Sequence, residues 1–189
     1  PGIVKEQIPN IFGRLLYGSK FHALRMARGQ QGIGISAAGM YGLLTTGKSV
    51  KITSRTGARS QAHYYELQIN TSKNRPEIIQ DAVIEWEPTN GTRVEIELEA
   101  RYQRGRQSVD EYLAQTAIAN PHAEFRFLPP DAPMIHYQRS VHDVIEVPEA
   151  VKPHPYGVEL GILIKMAKET PEKSMTAFLS NEFSRVSSH

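Results

Sequence analysis

The sequence predicts an α/β chain, and three observations carry that expectation. Stretches at 49–56 ("SVKITSRT") and 62–70 ("AHYYELQIN") are β-branched and alternate apolar with polar residues. A third alternating run, "TRVEIELEA", spans 92–100. Between and around them stand segments of helical rhythm such as 35–44, "ISAAGMYGLL".

Taken in order, "PNIFGRLLY" (9–17) suits a short helix with Pro9 at its first position, where the missing N–H would be orphaned anyway. Ile11, Leu15 and Leu16 are its expected buried side. The polar, basic, glycine-punctuated "GSKFHALRMARGQQGIG" (18–34) has too weak a period for a helix and too much length for an ordinary connection, which is the profile of a lid. The helix at 35–44 should stop at Gly47. Residues 56–61 then turn the two β-branched stretches into a hairpin. After the 92–100 strand, Ser108 with Glu111 three residues on reads as a capping box opening a helix that Asn120-Pro121 ends. "AEFRFL" (123–128) and "MIHYQR" (134–139) form a second hairpin. Pro148, Pro153 and Pro155 mark an extended linker over 148–157. Two helical segments follow, 158–169 and 175–186, broken by Thr170-Pro171 and too short to hold a core alone. The expected domains are therefore 1–147, the linker 148–157, and the start of a helical domain at 158–189.

Composition fits a folded chain of one domain or slightly more: 189 residues, 40% hydrophobic, 22% charged. The formal charge of +2 from 22 basic and 20 acidic residues is too balanced to prove a nucleic-acid surface. With no cysteine there is neither a disulfide framework nor a thiolate metal site, and no apolar run approaches a membrane span. The expected localisation is cytoplasmic. The chain opens on "PGIVKEQIPNIF" with no initiator Met and no signal-like segment, so it reads as a fragment.

Two phosphate-binding patterns overlap between Arg28 and Ser49. Gly32, Gly34 and Ala37 spell a dinucleotide fingerprint, and "GLLTTGKS" (42–49) fits the Walker A expression letter for letter. A Walker A loop needs a strand before it and a helix after it, so that loop amides and the helix N-terminus face the phosphates. Here a helix enters and a strand leaves. The dinucleotide pattern needs a preceding strand and an acidic residue about twenty positions on; "LRMARGQQ" precedes and "TSRTG" stands at the far position. What survives is shared physics: "GQQGIG" opens a helix and aims unpaired N–H groups at an anion. The structural alternative is that Gly29, Gly32 and Gly34 only permit a tight entry into a close-packed helix.

Other motifs are weaker. The seven histidines include no H-x-H or H-x-x-x-H pair, so no metal site is assigned to the chain. "GISAAG" misses the nucleophile-elbow spacing and lacks its strand, which makes Ser36 an early helix residue. "RYQRGRQ" (101–107) sets three arginines around Tyr102 and is either a DNA-backbone contact or a solvated loop.

"YGSKFHALRMARGQQGIGISAA" resembles the ATP lid and second glycine box of the ATPases that include gyrase, the heat-shock chaperones, histidine kinases and mismatch-repair proteins. The lid is written as in the B-subunit family of DNA topoisomerase VI, a type IIB enzyme. "PGI" resembles the end of the first glycine box, "NGTRVEIE" a threonine-bearing strand, and "KPHPYGVELGILIKM" the linker into a helix-two-turns-helix domain. The resemblance implies a two-layer α/β sandwich with a mixed, mostly antiparallel sheet, part of a Bergerat-type ATPase fold. It makes Ser19 and Lys20 lid contacts, and Gly29, Gln30, Gln31, Gly32, Ile33, Gly34, Ile35 and Ser36 the phosphate-binding run. Thr92 becomes the hydroxyl beside adenine, and Gly2 lines the base pocket. The implied cofactors are ATP and Mg²⁺. The implied partners are double-stranded DNA, a topoisomerase VI A subunit and a second B subunit that closes an ATP-dependent gate.

The family's catalytic Glu, its Mg²⁺-binding Asn and its adenine-reading Asp precede the position of Pro1, and its γ-phosphate lysine belongs to a downstream transducer domain. No catalytic residue is therefore expected in this chain. Two other readings stay open: another ATPase of the same class, of histidine-kinase or mismatch-repair type, and a non-enzymatic interaction module with a structural glycine loop.

Overall fold

The computed structural model describes residues 2–20, 29–143, 146 and 148–187. The middle of the expected lid, 21–28, lies outside the described residues. The chain divides into two units, one of Pro1–Tyr17 with Ile33–Val147 and one of Gly18–Gly32 with Pro148–His189.

The first unit is built on four antiparallel strands in the order β3-β2-β1-β4: β1 (Val50–Arg55), β2 (Ala62–Asn70), β3 (Arg75–Ile84) and β4 (Gly91–Glu95). Register sets Val50 opposite Leu67 and Ile52 between Tyr65 and Val94, so the alternation of "VKI" and "YEL" puts these apolar residues on one face. Helices α1 (Ile8–Gly13) and α2 (Gly34–Thr46) cover that face. Ile8 and Phe12 of α1 join Val50, Ile52, Tyr65 and Leu67 in a core against which Ile3, Ile11 and Ile96 pack. The result is a mixed α/β unit of two layers.

The hairpin of β1 and β2 forms as its alternation predicts. Arg55 locks its turn: Nε donates to the carbonyls of Gly57 and Ser60 at 3.2 and 2.9 Å, and Nη2 to that of Ala58 at 2.6 Å. β3 has no counterpart in the sequence reading. "RPEIIQDAVI" does not alternate cleanly and carries Pro76, which a strand tolerates only where no ladder donor is needed; β3 is an edge strand. The expected strand 92–100 keeps its ladder only to Glu95. α1 ends at Gly13, earlier than 17, because Leu15 N–H donates to Asn74 Oδ1 at 2.8 Å and Leu16 turns left-handed at φ 64°. Ile8 and Phe12 supply its buried side, while Leu16 is exposed.

α2 has almost no amphipathic bias, and glycine explains how it buries a face. A Cβ on Gly39 would come within 2.7 Å of Val50 Cγ2, and one on Gly42 within 2.7 Å of Ile96 Cγ2 and 2.9 Å of the Glu97 carbonyl oxygen. Only glycine allows this approach. Gly47 closes the helix at φ 71°, its N–H on the Leu43 carbonyl at 2.8 Å, and β1 begins at Val50. "GLLTTGKS" is thus a helix-to-strand turn, and exposed Lys48 pairs with Glu97 at 2.5 Å.

Further along, α3 (Val109–Ala119) is capped as expected, Ser108 Oγ accepting from Glu111 N–H at 3.2 Å. The reciprocal carboxylate contact goes to the Gln107 N–H at 2.5 Å, one residue before the N-cap. β5 (Phe125–Phe127) and β6 (Ile135–Tyr137) make the second hairpin.

In the second unit, α4 (Leu160–Glu169) and α5 (Met175–Glu182) are separated by Thr170-Pro171. Thr170 Oγ1 meets Glu182 at 3.2 Å, Asn181 Nδ2 donates to Glu172 at 2.8 Å, and buried Phe178 and Phe183 meet edge to face at 5.7 Å. Among the described residues no helix is long and apolar enough to cross a membrane.

Candidate functional site

The glycine run owes its path to residues that can take positive φ. Gly29 and Gly32 stand at 67° and 68°, a region that costs an ordinary L-residue roughly 1 kcal/mol or more. Gly29, Gln30 and Gln31 are exposed and belong to the second unit. There Lys20 N–H donates to the Gln30 carbonyl at 2.7 Å, so the two ends of the expected lid, Ser19-Lys20 and Gly29-Gln30, are joined by a backbone hydrogen bond.

Ile33 to Ser36 belong to the first unit, at the start of α2. Ile33 occupies the N-cap and has no side-chain oxygen, so the N-cap residue gives the first-turn amides no side-chain cap. Gly34 and Ile35 are exposed, and among the described residues a Cβ on Gly34 would meet no atom within 4 Å. Ser36 differs: it is fully buried and its Oγ donates to the Ile33 carbonyl at 3.1 Å. Its hydroxyl is engaged in the helix, as an early helical position implies, which leaves its backbone N–H as the group it could offer.

The two remaining expected residues, Gly2 and Thr92, lie beside adjacent residues of β1, Arg55 and Ser54. Gly2 lies so close to β1 that a Cβ would fall 1.9 Å from the Arg55 carbonyl oxygen. Ile3 N–H donates to Ser54 Oγ at 2.7 Å, and that oxygen is 2.9 Å from Thr92 Oγ1. Ser54 is fully buried. Sequence reasoning missed it, although a signal was present: Val50, Ile52 and Ser54 alternate onto the covered face, and a serine there has to find partners inside. No described hydrogen bond joins this cluster to the first turn of α2.

Among the described residues no group of three His, Asp or Glu side chains could hold a metal ion. In the arginine loop, Arg104 pairs with Asp131 at 2.8 Å, and Tyr102 hydrogen-bonds Asp110, which raises the phenol's pKa. Arg101 and Arg106 are exposed and outside these pairs.

No family model matches the chain. It is 49% identical over 187 residues to the B subunit of the type 2 DNA topoisomerase 6 of Methanosarcina barkeri, and 50% identical over 188 residues to that of Methanococcoides burtonii. To the corresponding protein of Halobacterium salinarum it is 46% identical over 193 residues. These matches cover 98%, 98% and 100% of this chain, and 30%, 30% and 24% of the relatives. The chain thus spans about 30% of the length of the two methanogen relatives. By identity sustained over nearly all its residues, it belongs to the family of type 2 DNA topoisomerase 6 B subunits.

Proposed function

We propose that the chain forms part of the ATP-binding machinery of a type IIB DNA topoisomerase, which relaxes or decatenates double-stranded DNA by ATP-gated strand passage. The observation that carries the proposal is the start of α2, whose N-cap residue offers no side-chain oxygen, with left-handed Gly32 before it and, among the described residues, nothing within 4 Å of a Cβ on Gly34. Backbone N–H groups so placed suit a polyphosphate, and the helix dipole favours its charge. In this reading the amides from Ile33 to Ser36 hold phosphate and Gly2 and Thr92 flank adenine, and Ser19, Lys20 and Gly29 to Gly32 are proposed as nucleotide contacts of the second unit. These residues fit the nucleotide by donor chemistry.

The described residues have no carboxylate cluster for Mg²⁺, whose protein ligand is proposed to come from outside this chain. Bound Mg²⁺ would supply charge neutralisation at the phosphates. Lid closure would favour pairing of two B subunits around DNA, with A subunits cutting both strands. Arg101 and Arg106 are exposed, which supports their proposed role in phosphate contacts, and such contacts are salt-sensitive by nature.

Two substitutions test the reading in the full-length protein. Gly34→Val fills open space, so it should fold, yet its branches block the approach of phosphate to the amides; ATP binding is expected to vanish. Lys48→Ala removes only an exposed ion pair and is expected to bind ATP like the parent. The opposite outcome would restore the Walker A assignment. Parent-like binding by both, with an unchanged circular dichroism spectrum, would make the glycine run structural and favour the interaction-module reading.

A further inference from the structure

The chain holds six asparagines, and the fold treats one of them differently. Asn10 Nδ2 donates to the Glu6 carbonyl, Asn70 Nδ2 to the Glu77 carboxylate and Asn74 Nδ2 to the Leu15 carbonyl. Asn120 Nδ2 donates to the Thr116 carbonyl and Asn181 Nδ2 to the Glu172 carboxylate. Among the described residues, only the Asn90 carboxamide makes no hydrogen bond; it is exposed, in the bend between β3 and β4. The chain is held on either side of it. Arg55 Nη1 donates to the Trp86 carbonyl at 3.2 Å, and Ser54 Oγ lies 3.2 Å from the Gly91 carbonyl oxygen. Asn90 sits in the span between those two anchors.

Asn90 is also the only asparagine that a glycine follows. The backbone demands that glycine: Gly91 stands at φ 135°, a conformation that L side chains rarely adopt. With no Cβ on residue 91, nothing shields its peptide nitrogen from the preceding carboxamide. We propose that Asn90 is a site of self-modification, at which the main chain attacks its own side chain, the reaction that makes asparagine thermolabile. The Gly91 nitrogen bonds to Asn90 Cγ and loses its proton, the Cγ–Nδ2 bond breaks, and ammonia leaves with that proton. Water then opens the cyclic imide. Opening at Cγ leaves the main chain intact and an aspartate in place of Asn90; opening at the main-chain carbonyl leaves an isoaspartate. No oxidant or reductant takes part. Either product adds a negative charge before β4. The isoaspartyl product also lengthens the main chain by one methylene directly ahead of Gly91 and Thr92, whose register partners are Arg55 and Ser54, and so loosens the start of β4. None of this depends on the nucleotide reading.

The test follows the full-length folded protein through incubation in mildly alkaline buffer, with the same protein unfolded in guanidinium chloride as reference. Peptide mapping by mass reads the exchange of NH₂ for OH at each asparagine, and a protease that cuts before aspartate but not before isoaspartate separates the two products. A carboxamide that must first break one ordinary hydrogen bond is slowed by up to about tenfold. Asn90 has none to break, so its folded rate should lag its unfolded rate by less than that factor, and it should convert ahead of the other five. Asn90→Gln, whose longer side chain closes the ring far less readily, should abolish the modification at this position and leave the others unchanged.

A folded-state lag of more than about tenfold overturns the proposal, as does conversion of any other asparagine ahead of Asn90. Amide hydrogen exchange over Gly91–Glu95 reads the consequence for the strand. It should be faster in the isoaspartyl protein than in fresh protein or in incubated Asn90→Gln. Unchanged exchange in isoaspartyl protein overturns the loosening of β4, and the modification itself stands or falls by the mapping.

Discussion

Tyr65 shows how much one residue can bind together. Its ring is 3% exposed in the core, while its hydroxyl donates to Asp81 Oδ2 at 3.1 Å and Lys5 Nζ stands 3.2 Å from the same oxygen. Strands β2 and β3 and the N-terminal segment are thereby joined at one carboxylate. Burial, then the hydrogen bond to Asp81, then its charge push the phenol from 10.0 up to about 12. The folded state therefore prefers the neutral phenol more than the unfolded chain does. That contribution is complete below about pH 10 and is lost as pH rises toward about 12, amounting to at most about 2–3 kcal/mol. Urea unfolding between pH 9 and 12, run on the parent and on Tyr65→Phe, should show a steeper alkaline decline in the parent. Equal slopes would mean that Tyr65 does not carry it.

At the scale of elements, α2 is the piece whose packing is least visible in its composition. Alanine would raise its helix propensity by about 1 kcal/mol at any glycine, yet overpacking costs about 1–3 kcal/mol where the space is taken. Gly42 faces both the Ile96 side chain and the Glu97 backbone, which cannot swing aside. Gly42→Ala should therefore lower the stability, by up to about 2 kcal/mol net, and with it the denaturation midpoint. Gly34→Ala, with nothing within 4 Å, should leave it level or raise it. If the two variants shift alike, the close approach of α2 to the sheet is wrong. The helix and its Gly47 stop were legible because caps and breakers act within a turn of chain. The glycine contacts were not, since Val50 and Ile96 reach α2 only after the sheet has formed. β3 was missed for a related reason: an edge strand with a proline and exposed Ile78 and Ile79 is recruited by β2 and announces little on its own.

For the whole molecule, the prediction concerns turnover. No residue of this chain is assigned to activate water, and the described residues gather no metal-ligand cluster. The 189-residue chain alone should therefore release no phosphate from ATP above a heat-inactivated control in a coupled assay. Turnover that survives purification and disappears in Gly34→Val would place the catalytic group within these residues and overturn the assignment.

The sequence by itself determined the kind and order of most elements: the capped start of α3, the β1–β2 hairpin, the glycine stop of α2, and the helix-turn-strand order that disqualifies "GLLTTGKS" as a P-loop. Each depends on residues a few positions apart, whose sterics and hydrogen bonds act before any fold exists. Similarity over nearly the whole chain then supplied the family. Only the tertiary structure decided that Ile3 and Thr92 share a neighbour. Ser54 lies 51 positions from Ile3 and 38 from Thr92, and the bonds among them exist because the sheet brings three distant segments to one buried point. The alternation of Val50, Ile52 and Ser54 implies that the serine needs partners inside, but which partners it meets follows from register, and register is a property of the folded sheet.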